Sequence, residues 1–216
     1  MTRQLPDFGT PWIASRPMSG FDQDKPVAEA MLRRLCLGAE IVAVYWDGFP
    51  GITKLMIADN DWTSAKRLPQ FAAYAKQRPP DESLLMIEHR WDILANPPEA
   101  SAEQEQAVAE ALPEPATDLQ LAELAMLHGD PIIEVRLGVG VGHLIVLFDS
   151  GRCLFVHGDH GPYEAWEIRV MSPDGLNDPE NKWLLVNTPG GDVCMWTPSD
   201  FDPNFDAEWL RHQAKE

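Results

Sequence analysis

The chain has 216 residues, 44% of them hydrophobic, with eight tryptophans; that is enough apolar mass to fill a core and too much for a disordered chain. Its 34 acidic residues against 17 basic ones give a formal charge of −17. Charge of this sign repels phosphate backbones and anionic lipid, which excludes nucleic acid and membrane surfaces as expected partners and favours cationic ones.

The charge is unevenly spread. Residues 1–90 carry 11 Lys and Arg against 11 Asp and Glu, whereas residues 91–216 carry 6 against 23, so the whole excess lies in the second part. From Trp91 to Val135 there are ten acids and no Lys or Arg. An acidic surface also keeps a protein soluble, so charge alone does not establish a partner.

Residues 1–25 are rich in Pro and Gly with single aromatics (Phe8, Trp12, Phe21) and read as an irregular arm. They lack the continuous apolar stretch of a secretory signal, and no run approaches the roughly 20 residues that span a bilayer; a cytoplasmic protein is the expectation. A helix is predicted from about Pro26, where a missing N–H costs little near a helix start, to Leu37, with Gly38 ending it. Ile41–Tyr45 and Ile52–Ala58 flank the turn sequence Asp47-Gly48-Phe49-Pro50-Gly51 and predict a hairpin. Residues 64–78 are read as helical. In residues 81–94, Leu84, Ile87, Trp91 and Leu94 fit helical spacing, and helix is the reading adopted over a strand at Leu85-Met86-Ile87.

Residues 96–118 read as an acidic linker bounded by prolines, with a short solvated helix inside it. Asp118 caps a further helix over Leu119–Leu127, apolar nearly all round and expected to be buried. Short strands are predicted at 132–137, 143–149, 152–157, 164–170, 183–187 and 192–196, joined by turns rich in Gly, Pro and Asp, which describes an antiparallel meander. A final short helix is expected around Asp206–His212, with Trp209 docked. The fold class is α+β, with helix plus hairpin in the N-terminal half and a β-meander with helices packed on it in the C-terminal half. The units are 1–95, the linker 96–118 and 119–216, or one continuous domain. An echo links Leu37-Gly38 and the following apolar run to Leu137-Gly138 and its run, as if a helix preceded a hairpin in each half.

Four patterns bear on function. The turn HGDHGPYE places His157, Asp159, His160 and Glu164 within eight residues, and imidazole and carboxylate ligands of this kind suit zinc or iron. Gly151, His157 and Glu164 resemble the opening of the first cupin motif, but Asp159 stands in place of its second His, and no His in residues 161–211 completes a second motif. Gly138, Gly140 and Gly142 have the spacing of a phosphate loop, yet the strand-like HLIVLF follows where a helix is required, so a turn between strands is expected. Cys36, Cys153 and Cys194 show no paired spacing and lie in apolar runs, as small core residues do; Cys153 or Cys194 with His157 or His143, as a nucleophile pair, is the weaker reading. Trp46, Trp62, Trp166, Trp183 and Trp196 lie near strand ends, as packing or as contact anchors.

The stretch VLFDSGRCLFVHGDHGPYEAWEI, followed after a gap by WLLVNTPGGDVCMW, is similar to small uncharacterised bacterial proteins of the toxin-immunity type. It covers about a third of the chain, with Tyr163-Glu164-Ala165-Trp166-Glu167-Ile168 as its strand and Ala165 where Ser is usual. The resemblance implies a protein without a catalytic motif that binds a toxin. The functional expectation is therefore an acidic, non-enzymatic binding protein that covers the active site of a basic protein partner such as a cognate toxin. A basic nuclease suits it, because carboxylates mimic phosphates. Glu103, Glu105, Glu110, Glu114, Asp159, Glu164 and Trp166 are the candidate contact residues, and no cofactor is expected. The alternative is a metal-dependent enzyme or small-ligand binder holding zinc or iron at His157, Asp159, His160 and Glu164.

Overall fold

The computed structural model describes residues 20–47, 51–58, 69–71, 74, 78–79, 82–113, 118–171 and 182–204. The N-terminal arm up to residue 19, Trp62, most of the helix expected at 64–78, Glu114 and the final helix with Trp209 lie outside them.

The fold class is α+β, as expected. The described helices are α1 (Phe21–Cys36), α2 (Ala102–Ala111) and α3 (Asp118–Ala125). The strands are β1 (Glu40–Asp47), β2 (Ile52–Ala58), β3 (Ser83–Ile87), β4 (Trp91–Leu94), β5 (Ile132–Leu137), β6 (Leu144–Phe148), β7 (Cys153–Val156), β8 (Trp166–Val170), β9 (Leu184–Asn187) and β10 (Val193–Trp196). All pair antiparallel, in a six-stranded sheet of order β1-β2-β3-β8-β9-β10 and a four-stranded sheet of order β4-β7-β6-β5.

Helix α1 begins five residues before Pro26. The amides of Gln23 and Asp24 bond Gly20 O at 3.0 and 3.1 Å, which starts the helix, and Pro26 deprives only the exposed Asp22 carbonyl of its partner. Gly38 ends it with φ 75, a left-handed conformation that suits glycine. Gly38 and Ala39 then exchange backbone bonds with Ile132, which ties the helix end to β5. Ala28, Met31, Leu32 and Leu35 form the buried face, and α1 lies against β5 of one sheet and β10 of the other. One continuous apolar core joins α1 to both sheets.

Residues 81–94 are two strands, not a helix. Leu84, Leu85, Ile87 and Trp91 are buried against cross-strand partners, and the three polar residues Glu88-His89-Arg90 break the run. Periodicity failed here because two short strands with a three-residue gap imitate a helical repeat. The C-terminal strands also form two meanders rather than one. β5, β6 and β7 belong to the four-stranded sheet and β8, β9 and β10 to the six-stranded one. Each sheet therefore combines strands from before and after residues 96–118.

The stretch read as a linker closes the outer face of the four-stranded sheet. Ala109 and Leu112 pack with Ile145, Cys153 and Phe155 in a second apolar cluster. Glu105, placed by its sequence on a solvated face, is fully buried. One carboxylate oxygen accepts from Arg136 Nη1 at 2.5 Å and the other from the amide of Val139 at 2.5 Å, while Arg136 Nη2 donates to Pro98 O at 3.0 Å. Helix α3 buries Leu124 and, just past its end, Leu127, but leaves Leu119 and Met126 about 70% exposed (69% and 71%), so it is not buried all round. The echo between the halves does not extend to structure, since Leu37-Gly38 follows a helix and Leu137-Gly138 follows strand β5.

Candidate functional site

The chain passes from the six-stranded to the four-stranded sheet through residues 88–90 and returns through 157–165. The two crossovers run side by side. Ile87 pairs Trp166 and Trp91 pairs Val156 at their ends, and the amides of Glu88 and His157 donate to Ala165 O and Arg90 O, each at 2.9 Å. Trp91 Nε1 donates to Thr53 Oγ1 at 3.2 Å and bridges the sheets at the same corner.

This corner collects most of the chain's imidazoles. His89 stacks on His160 with ring centroids 4.1 Å apart and meets His157 edge-on at 4.8 Å. His143, at the start of β6, lies 5.2 Å from His157 and 5.1 Å from Phe155. The buried His143 accepts a hydrogen bond at Nδ1 from the Gly158 amide at 3.0 Å, which requires a neutral ring carrying its proton on Nε2. Burial, followed by the nearby His157, lowers its pKa to about 4. Burial and the charges of His160, His157 and Arg90 lower that of His89 to about 4. Burial, then Arg90, lowers that of His157. His160 Nδ1 lies 3.1 Å from Glu164 O; a carbonyl only accepts, so Nδ1 is the protonated nitrogen. His157 Nδ1 is buried without a hydrogen-bond partner among the described residues.

Gly142 and Gly158 make the corner possible. A Cβ on Gly158 would stand 2.2 Å from the Gly142 backbone, so only glycine allows the approach. Gly142 O accepts from Trp166 Nε1 at 2.8 Å, and Gly142 N donates to Gly191 O at 2.8 Å. The glycine-rich stretch is thus a turn and a crossing point leading into β6, as expected.

Outside the rings the corner is acidic. Asp159 is exposed and accepts from the Gly161 amide at 3.0 Å. Glu164 is exposed, and Tyr163 is 66% exposed. Partial burial, followed by repulsion from Glu164, raises the pKa of Glu88. Glu167 rises for the same first reason, against the pull of Arg169, with Glu164 and Glu88 adding to it.

Of the contact residues expected from the sequence, Asp159 and Glu164 meet at this corner. Glu103 and Glu110 are exposed on α2, and Glu114 lies outside the described residues. Glu105 and Trp166 are interior groups, Trp166 with no exposed surface, so neither belongs to a contact surface. Of the expected metal ligands, His157 and His160 gather around His89, whereas the Asp159 and Glu164 side chains serve the turn and the acidic rim. Among the described residues, no three His, Cys, Asp or Glu side chains surround a common metal position. Cys36 and Cys153 are buried free thiols pushed up to about 12 by burial, the opposite of an activated nucleophile.

Sequence reasoning missed Glu88 and His89; His143 was named only as a partner for a cysteine nucleophile and Tyr163 only as part of a strand motif, neither as a member of this corner. Glu88 and His89 were visible as the polar break between SLLMI and WDIL, had that stretch been read as strands. No helix among the described residues is long and apolar enough to cross a membrane. The chain matches no family model, no curated protein and no solved structure with which it was compared.

Proposed function

We propose that this is a binding protein whose inter-sheet corner receives a basic protein partner, in the manner of an immunity protein covering the cationic site of a toxin. The observation that carries this reading is the juxtaposition of Glu88, Asp159 and Glu164 with the exposed ring of Tyr163 at one place in the fold. Glu88 and Glu164 repel each other there, and an arriving Lys or Arg relieves that repulsion while satisfying both carboxylates. Tyr163 supplies the amphipathic aromatic contact that dominates many interfaces, and the remaining acidic surface steers a cation toward it. A nuclease site that binds phosphates is a fitting target for such carboxylates.

The test is capture of a partner by the full chain from the native host, followed by titration with salt. Association that weakens steeply as ionic strength rises supports the reading. A partner that is acidic, or binding indifferent to salt, overturns it.

A further inference from the structure

The two sheets end in four edge strands, β1 and β10 in the larger and β4 and β5 in the smaller. Unpaired peptide groups on an edge are a template for a further strand, so folds cover them. Three of these edges are engaged. Ile132 of β5 exchanges backbone bonds with Gly38 and Ala39, and the Leu137 amide donates to Glu29 Oε1 at 3.0 Å. Trp91 O of β4 accepts from Gln120 Nε2 at 2.7 Å. β10 lies against α1, and its Met195 and Trp196 have partners of their own. The start of β1 is closed too, by the bulge between Ile41 and Ala43 and by the bridge from Ile41 to His128. Residues 43–47 are different. Asp47 O accepts from the Gly51 amide at 3.0 Å, on the hairpin side toward β2. Peptide groups alternate along a strand, so those of Val44 and Trp46 point the other way, off the edge. Neither makes a hydrogen bond there among the described residues. Tyr45 and Trp46 are 55% and 46% exposed, and the strand, EIVAVYWD, has none of the Lys or Pro that guard an edge.

Charge selects the occupant. In a chain of formal charge −17, residues 41–46 carry none, and the Asp47 carboxylate is paired with Lys54 Nζ at 2.6 Å. This edge therefore offers nothing to a cationic partner, and two copies meet at it without local repulsion. We propose that β1 pairs antiparallel with β1 of a second copy about a two-fold axis at Tyr45, joining two six-stranded sheets edge to edge. The register uses only the open residues: Tyr45 faces Tyr45 of the second copy, Val44 faces its Trp46, and Ala43 its Asp47. Val44 and Trp46 then exchange their outward hydrogen bonds across the axis and form aromatic–aliphatic pairs of the kind that stabilise neighbouring strands. Such an interface is self-complementary and closes at two chains. Five residues a side is well short of the roughly 20 to 30 of a standard interface, so the dimer is a weak one. This edge is separate from the acidic corner, and either can fail without the other.

Sedimentation equilibrium of the full chain between about 10 µM and 1 mM tests the pairing, with a monomer–dimer equilibrium expected in that range. Added salt should strengthen it by screening the repulsion between two acidic chains, the opposite of its effect on a basic partner at the corner. The two-fold repeats every change, so Trp46→Lys removes two Val44 pairs at once and should weaken dimerisation about tenfold. Its side chain is nearly half exposed, so the thermal melt of the dilute variant should match the parent. Tyr45→Cys sets two facing Cα atoms roughly 4.5 Å apart, within disulfide range, and should give a covalent dimer on mild oxidation. Asp47→Cys, with its two thiols roughly 14 Å apart in this register, should not. The parent, whose Cys36 and Cys153 are buried, is the blank. A chain that stays monomeric throughout, a dimer indifferent to Trp46→Lys, or cross-linking no better at position 45 than at 47 overturns the proposal.

Discussion

Helix α2 and the 157–165 crossover invite opposite readings from sequence, and the structure reverses both. The helix, AEQEQAVAEA, has two glutamates in its first turn and a thin apolar face, the pattern of a solvated surface. It is instead the cover of the four-stranded sheet, with Glu105 sealed between Arg136 and the Val139 amide. The crossover reads as one turn within a single meander, yet it passes between two sheets. A carboxylate's place thus depends on its partner. Glu105 is inside because a guanidinium and a backbone N–H satisfy it, while Asp159 and Glu164 are exposed and form no ion pair among the described residues that would offset their desolvation.

The largest effect that would break this contrast is at Glu105. Glu105→Ala takes the acceptor from the Val139 amide and from one of the Arg136 donors, leaving Arg136 its bond to Pro98 O and the nearby Glu134, and is expected to cost roughly 2 to 4 kcal/mol in denaturant unfolding. A cost below about 1 kcal/mol would mean that α2 is a loosely attached surface element after all.

A smaller effect is expected at the joint that positions the crossover. His143→Phe preserves ring volume next to Phe155 but removes the acceptor for the Gly158 amide, and an unsatisfied buried donor costs about 1 to 3 kcal/mol. Hydrogen exchange at Gly158 should accelerate with it; unchanged exchange would show that His143 does not hold the turn.

The smallest expected signal is the reactivity of Cys153, which α2 covers. With its thiol pushed up to about 12, the thiolate fraction at pH 8 is roughly one part in ten thousand. The thiolate is the nucleophile, so alkylation rises with pH, and the half-buried Cys194 should label well before Cys153 and Cys36. Equal labelling of Cys153 and Cys194 in the native protein would mean that α2 opens readily.

Much of the fold was legible in the residues. Tight turns such as Asp149-Ser150-Gly151 punctuated the C-terminal strands, and β5 falls at its expected 132–137. Which sheet each strand joins was not legible, because pairing is set by long-range contact and not by local pattern. The runs of β6 and β7 are apolar on both faces because α2 covers one side and the core the other, whereas β2 and β8 alternate between fully and partly buried positions. That difference was in the sequence, but the acidity of residues 99–110 concealed that the helix predicted there covers the sheet. Half of the histidine cluster was equally concealed. His157 and His160 announced themselves within one turn, while His89 and His143 reach them only through the pairing of β4 and β6 with β7.

The central claim is that position, not total charge, makes the 88–90 and 157–165 corner a contact face. Two variants with the same loss of charge decide it: Glu88→Gln/Glu164→Gln at the corner, and Glu103→Gln/Glu110→Gln on the exposed face of α2. Partner capture from the native host is measured for both beside the parent, after unfolding curves show each within about 0.5 kcal/mol of it. The expected result is capture lost in the corner pair and kept in the helix pair. Equal loss in both, or loss only in the helix pair, would contradict the account.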